Sequence, residues 1–153
     1  MSGDRFPLPD TELPATRPFW QAAARHELVI PRCAACLAFN WYPRSVCQQC
    51  GGREMPWTAM SGRGTLFSWA VVERALARPF ADRVPYVTGL VALEEAPNVR
   101  LVSYVVDCEP GDLAFDMSLQ ADFRPLEFRG VAGRVMAPFF RPARRAGETG
   151  ERR

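Results

Sequence analysis

The stretch "CAACLAFNWYPRSVCQQC", residues 33 to 50, places Cys33, Cys36, Cys47 and Cys50 in two Cys-x2-Cys pairs separated by ten residues. A two-residue gap lets both thiols of a pair reach one ion from a single tight turn. A hairpin between the pairs then brings the two turns face to face, so that four thiolates form a tetrahedral cage, the pattern of a zinc ribbon. The spacer is shorter than the roughly 15 to 20 residues of one common zinc pattern. Gly51 and Gly52 suit a turn whose backbone N–H groups point at sulfur. A rubredoxin-type iron site uses the same ligands, and a redox dithiol uses one such pair; zinc is the reading taken here, with iron and redox chemistry as the alternatives. Four thiolates leave no position for water, so the expected ion is structural, one zinc per chain, and not a Lewis acid. Metal binding of this kind supplies on the order of 10–16 kcal/mol to folding at neutral pH.

Compartment and charge bear on the same question. Paired thiols in a reducing cytosol are more often metal ligands than disulfides. The first thirty residues lack a basic leader followed by an apolar block, so a cytoplasmic location is expected. No apolar run approaches the roughly 20 residues of a membrane span, so no membrane partner is expected. The chain has 153 residues, 48% hydrophobic and 24% charged, enough for one packed domain with a small appendage. A net charge of +2 makes a poor polycation, and nucleic acid is an unlikely partner. All 19 basic residues are Arg, so Schiff-base chemistry through lysine is excluded.

Residues 1–16 carry several prolines and no periodicity, and read as an extended arm. Thr16 is placed to cap a helix from about Arg17 to His26, with Phe19, Ala22, Ala23 and His26 on one face. "ELVIP" begins a strand leading into Cys33. Beyond Gly64 the character changes: "GTLFSWAVVERA", "YVTGLVALEE", "VRLVSYVVDC", "LQADFRPLEF" and "VMAPFFRP" are rich in β-branched and aromatic residues and separated by turn signals. Five strands of this kind predict a small closed or half-open barrel. Residues 74–85 form a long connection with an exposed Phe80, and residues 143–153 read as a disordered tail. The division expected is arm 1–16, helix and ribbon 17–57, barrel 58–142 and tail 143–153.

A catalytic inventory is thin. His26, the single histidine, falls on the helix, away from the barrel, where it packs or caps the helix end. Cys108 sits alone at a strand end and reads as a small hydrophobe. Glu94, Glu95, Asp107, Glu109, Asp112 and Asp116 are scattered over turns, and no phosphate loop, nucleophile elbow or metalloprotease motif is present. The chain therefore reads as a binding or assembly module with no catalytic residue of its own.

The order of parts, "PFW", "CAAC…CQQCGG", "SGRGTLFSW", "VPYV" and a closing "PFFRP", resembles the acyl-CoA-associated zinc-ribbon and OB-fold family known as domain of unknown function thirty-five. The resemblance covers about residues 17–142. It implies a mainly β chain: an N-terminal helix, a rubredoxin-like zinc ribbon and a five-stranded OB-fold barrel. It also implies a non-catalytic subunit of a hetero-oligomer, whose partner is a thiolase-fold acyl-CoA enzyme such as a thiolase or a steroid side-chain retro-aldol lyase, or an enoyl-CoA hydratase. The acyl-CoA would be the substrate of the complex. On this sequence the expected partner contacts are Phe19, Trp20, Trp41, Tyr42 and Phe80, and the arginines that could meet CoA phosphates are Arg32, Arg44 and Arg83.

Overall fold

The computed structural model describes residues 6–143. Within them lie one α-helix, α1 (Arg17–Ala24), two single 3-10 turns at Arg78–Phe80 and Pro110–Asp112, and seven strands: β1 (Leu28–Pro31), β2 (Trp57–Met60), β3 (Arg63–Val72), β4 (Tyr86–Leu93), β5 (Arg100–Val105), β6 (Ser118–Leu126) and β7 (Val135–Pro142). β1 and β2 form a two-stranded antiparallel sheet, and the remaining strands close a barrel in the order β3-β4-β5-β7-β6. Six of the seven strands, β1 and the five of the barrel, are those read from the sequence.

Alternation explains the barrel. Along β4, Val87, Gly89, Val91 and Leu93 face inward and are buried, while Tyr86, Thr88, Leu90 and Ala92 are only half covered. Leu66, Leu101, Val105, Leu119 and Phe140 complete the interior. A fully buried Phe140 or Leu66 contributes about 1.5–3 kcal/mol each. Closure depends on Gly64, which pairs with Leu93 on one side and Leu119 on the other. A Cβ there would stand 2.5 Å from the Ala92 carbonyl oxygen, so only glycine lets β3 pass this close to β4. A bulge between Leu66 and Ser68 turns Phe67 outward, where the Arg100 guanidinium covers its ring at 4.1 Å. The last link is parallel, between β5 and β7 at Val105 and Phe140.

α1 lies over β7 and β1, burying Phe19, Ala22 and Ala23 as its apolar stripe requires. Thr16 stands at the N-cap but makes no side-chain cap bond; Pro18 supplies the helix start instead. The helix ends at Ala24, two residues before the expected limit, because His26 turns left-handed at φ 63°. His26 is not remote from the barrel. Its ring stacks on Phe123 of β6, with centroids 5.6 Å apart and planes 5° from parallel.

Residues 6–16 run as successive turns and bends, not as an extended arm, and residues 1–5 of the expected arm lie outside the described residues. Except for Ala143, the tail expected over residues 143–153 lies outside the described residues. β2 was not anticipated. Its Trp57–Met60 segment pairs residue by residue with Pro31–Leu28, so the chain leaving the cysteine module returns alongside its entry strand before entering the barrel. Among the described residues no helix is long and apolar enough to cross a membrane.

Candidate metal centre

β1 delivers Cys33 and the returning chain toward β2 carries Cys50 away, so the paired strands hold the two cysteine turns opposite each other. The turns are near copies. Leu37 N–H donates to the Cys33 carbonyl at 2.9 Å and Gly51 N–H to the Cys47 carbonyl at 2.9 Å. Cys33 N–H donates to Ala38 O at 2.9 Å, and Cys47 N–H to Gly52 O at 2.8 Å. The same backbone bonds close both knuckles.

The four Sγ atoms all lie within 4.8 Å of one another. Cys33 to Cys50 and Cys36 to Cys47 are each separated by 3.6 Å across the knuckles. A tetrahedron with Zn–S near 2.3 Å has sulfur edges of about 3.8 Å, so the cage has the size a thiolate-bound metal needs. N–H donors surround it. Gln49 N–H and the Asn40 amide reach Cys47 Sγ at 3.4 and 3.5 Å, and Gly52 N–H reaches Cys50 Sγ at 3.4 Å. The Cys50–Gly52 bond bears out the role read for the glycines. Gly52 is also required sterically, since a Cβ there would meet Cys33 Sγ at 3.0 Å and Cys50 Sγ at 3.3 Å.

Proton affinity splits the set. The Cys47 thiol is drawn down to about 6, chiefly by the Cys50 N–H, with help from Gln49 and Asn40 against the effect of burial. Cys33 is lowered too, mainly by the Cys36 N–H. Cys36 is pushed up to about 12: the Ala38 N–H pulls downward, but the neighbouring thiols and burial outweigh it. Four sulfurs this close cannot all carry charge without a cation, whereas a divalent metal holds all four as thiolates. The residues fit the group: Cys33, Cys36, Cys47 and Cys50 are positioned to bind a metal ion.

Beside the centre runs an apolar groove of about 380 Å³ between α1, the ribbon and the outer face of the barrel. Trp20 and Trp41 form one wall; Tyr86, Tyr104 and Phe139 form the floor. Phe19 stands behind the wall, 5% exposed, in edge contact with Trp20 at 4.9 Å and tilted against Trp41 at 5.1 Å. Tyr42 is 52% exposed and packs edge-on to Trp41 at 5.6 Å. Phe80, expected to be exposed, is half-buried against Phe128 at 5.1 Å and Tyr86 at 6.1 Å, and Tyr86, Tyr104 and Phe139 continue the row of rings into the groove. The structure thus gathers Phe19, Trp20, Trp41 and Tyr42, and sets Phe80 at the far end of the aromatic row.

The three arginines do not converge on one element. Arg32 donates Nε–H to the Leu37 carbonyl at 2.9 Å and lies over Phe39. Arg83 donates to the Glu127 carbonyl and lies 4.5 Å over Phe128. Arg44 is exposed on the hairpin. Among the acidic residues, Glu94 pairs with Arg63 at 2.5 Å, Glu95 accepts from Ser61 N–H at 2.8 Å, and Asp107 and Asp122 both pair with Arg124. Burial, and then Asp112, Asp107 and Glu109, push the Cys108 thiol up, in keeping with a small apolar residue packed beside the core.

A metal ribbon leading into a closed five-stranded OB barrel defines the class. Two family models match in succession: "ChsH2, rubredoxin-like zinc ribbon domain" over residues 20–56 and "ChsH2, C-terminal OB-fold domain" over residues 57–124. The chain is 31% identical over 110 residues to a DUF35 domain-containing scaffold protein of Methanocaldococcus jannaschii, covering 71% of this chain and 76% of the relative. It is 32% identical over 126 residues to a probable enoyl-CoA hydratase alpha subunit of Thermomonospora curvata; the match takes in 82% of this chain and 37% of that subunit. A chain of the solved Ltp2-ChsH2(DUF35) aldolase superposes with a TM-score of 0.73 at 29% identity, covering 88% of this chain and 98% of its own length. The chain belongs to the DUF35 family.

Proposed function

We propose that this chain is a non-catalytic, zinc-binding accessory subunit of a hetero-oligomeric acyl-CoA complex, whose catalytic partner is a thiolase-fold thiolase or retro-aldol lyase of steroid side-chain or related acyl-CoA degradation. The observation that carries the reading is the superposition on the aldolase chain over almost its full length. The curated relative called a scaffold protein supports the same role. In this reading one structural zinc per chain fixes the ribbon against α1 and the barrel, and the partner supplies the reacting groups. Trp20, Trp41 and Tyr42 meet the partner, with Phe19 supporting them from behind and Phe80 bracing the end of the aromatic row. Of the arginines, Arg44 is the one open to a CoA phosphate, because Arg32 and Arg83 are engaged by backbone carbonyls.

Affinity capture from the native host tests this. The wild-type chain is expected to bring down a thiolase-fold acyl-CoA enzyme through an interface burying more than about 1,000 Å². Trp20→Ala combined with Trp41→Ala is expected to weaken capture at least about thirtyfold, the effect of losing about 2 kcal/mol at a buried aromatic anchor. Capture of no acyl-CoA enzyme by the wild-type chain contradicts the proposal. One second reading has its own support: the similarity to a probable enoyl-CoA hydratase alpha subunit favours a hydratase complex or direct binding of the acyl-CoA. A hydratase-fold partner in the same capture, or heat on titrating the isolated chain with a CoA thioester, selects it.

A further inference from the structure

The hairpin between the knuckles carries a buried polar residue that the cysteine pattern does not explain. Asn40 is 4% exposed, and its amide is fully engaged. Oδ1 accepts the Gln48 N–H at 3.0 Å, which fixes the amide's orientation and turns Nδ2 toward the Ala38 carbonyl at 3.0 Å and Cys47 Sγ at 3.5 Å. Its own N–H donates to the Pro31 carbonyl at 2.9 Å. Asn40 thus bonds the end of β1, the first knuckle's Ala38, the second knuckle's Gln48 and a ligand sulfur. A serine, an aspartate or an alkyl side chain lacks the combination of one acceptor and two donors that this place uses.

The next residue is Trp41, the groove wall. Its segment is held from the barrel by Asn98 Nδ2, which donates to the Phe39 carbonyl at 3.1 Å, and from the helix by Phe19. Between them, the link running back to the ligand set is Asn40. We infer that Asn40 is a positioning residue that joins the metal centre to the groove: it orients Cys47 for the ion and, through the adjacent peptide, sets Trp41 against Phe19. Partners of this kind around metal ligands typically change affinity by about 10–100-fold when removed. The inference rests on the metal reading of the four cysteines and is independent of which enzyme the groove meets.

The test uses the full chain with cobalt(II) as an optical probe and zinc for fluorine NMR of 5-fluorotryptophan-labelled protein. Asn40→Asp keeps the acceptor toward Gln48 and replaces the donor facing sulfur with a like charge. It is expected to weaken cobalt binding at least about tenfold and to move the thiolate-to-cobalt charge-transfer band to lower energy. With saturating zinc, the Trp41 resonance, assigned through Trp41→Phe, is expected to shift or broaden while that of Trp69 in the barrel stays in place. If Asn40→Asp does not fold, Asn40→Ala carries the same readouts with no added charge. Cobalt affinity within twofold of wild type, or an unmoved Trp41 resonance, overturns the inference. A wild-type chain that takes up no cobalt overturns the metal reading and this inference with it.

Discussion

Leu37 and Gly51 occupy equivalent corners of the two cysteine knuckles, both in the left-handed region, at φ 63° and 77°. Each follows the second cysteine of its pair and donates its N–H to the carbonyl of the first. Glycine adopts this conformation without steric cost, whereas an L side chain loses about 1–2 kcal/mol. Leu37 is 57% exposed, so its side chain returns little by burial, and Arg32 holds its strained carbonyl in place. Leu37→Gly is therefore expected to stabilise the metal-loaded chain by about 1 kcal/mol in urea unfolding, while Gly51→Val destabilises it.

Gly52 tests the cage from the other side. A methyl group there meets two ligand sulfurs, so Gly52→Ala is expected to lower metal affinity about tenfold in competition with a chelator. Unchanged affinity would mean that the knuckles have more room than the structure gives them. Cys47→Ala goes further, removing a ligand outright: one equivalent of zinc is lost and the ribbon unfolds, as zinc assay and near-UV circular dichroism would report.

Cys108 separates ligand from non-ligand thiols. With metal bound, alkylation is expected to modify one residue per chain, Cys108, identified by peptide mass mapping. Burial and the surrounding carboxylates raise its thiol above the usual value, so at pH 8 its thiolate fraction, and its rate, fall below those of free cysteine. The rate climbs with pH through and beyond 9, the ordinary value from which the thiol is raised. Rapid labelling at neutral pH would contradict this environment.

In the barrel, Gly64→Ala drives a methyl group into the Ala92 carbonyl at the point where β3 joins both neighbours. The strands must part or bend. A loss of about 1–3 kcal/mol is expected in urea unfolding, with metal content unchanged.

Much of this was legible in the residues because it follows from short-range rules. The spacing of Cys33, Cys36, Cys47 and Cys50 defines a shared site before any fold is known, and β-branched runs between Gly and Pro signals mark all five barrel strands. β2 escaped because "WTAM" is only four residues long and follows a proline; its strand character comes from pairing with β1, which no local pattern encodes. Thr16 is in the right place to cap, yet its hydroxyl makes no cap bond, so the residue type misled. Asn40 reads as a turn residue in a hairpin, and the signal of its role is its burial beside sulfur, a tertiary fact. Phe80 looked exposed since its loop is long, but Phe128 and Tyr86, remote or separated in sequence, cover it. Arg32 and Arg83 are engaged by carbonyls five and 44 residues away.

In the function proposed above, this chain organises a catalytic partner and does not itself turn over substrate. The direct measurement is acyl-CoA conversion by three preparations from the native host: the zinc-loaded chain, its captured partner, and the two together. The account predicts no conversion by the chain, weak or absent conversion by the partner, and full activity on mixing. Conversion by the chain alone, or a partner equally active without it, would contradict the account.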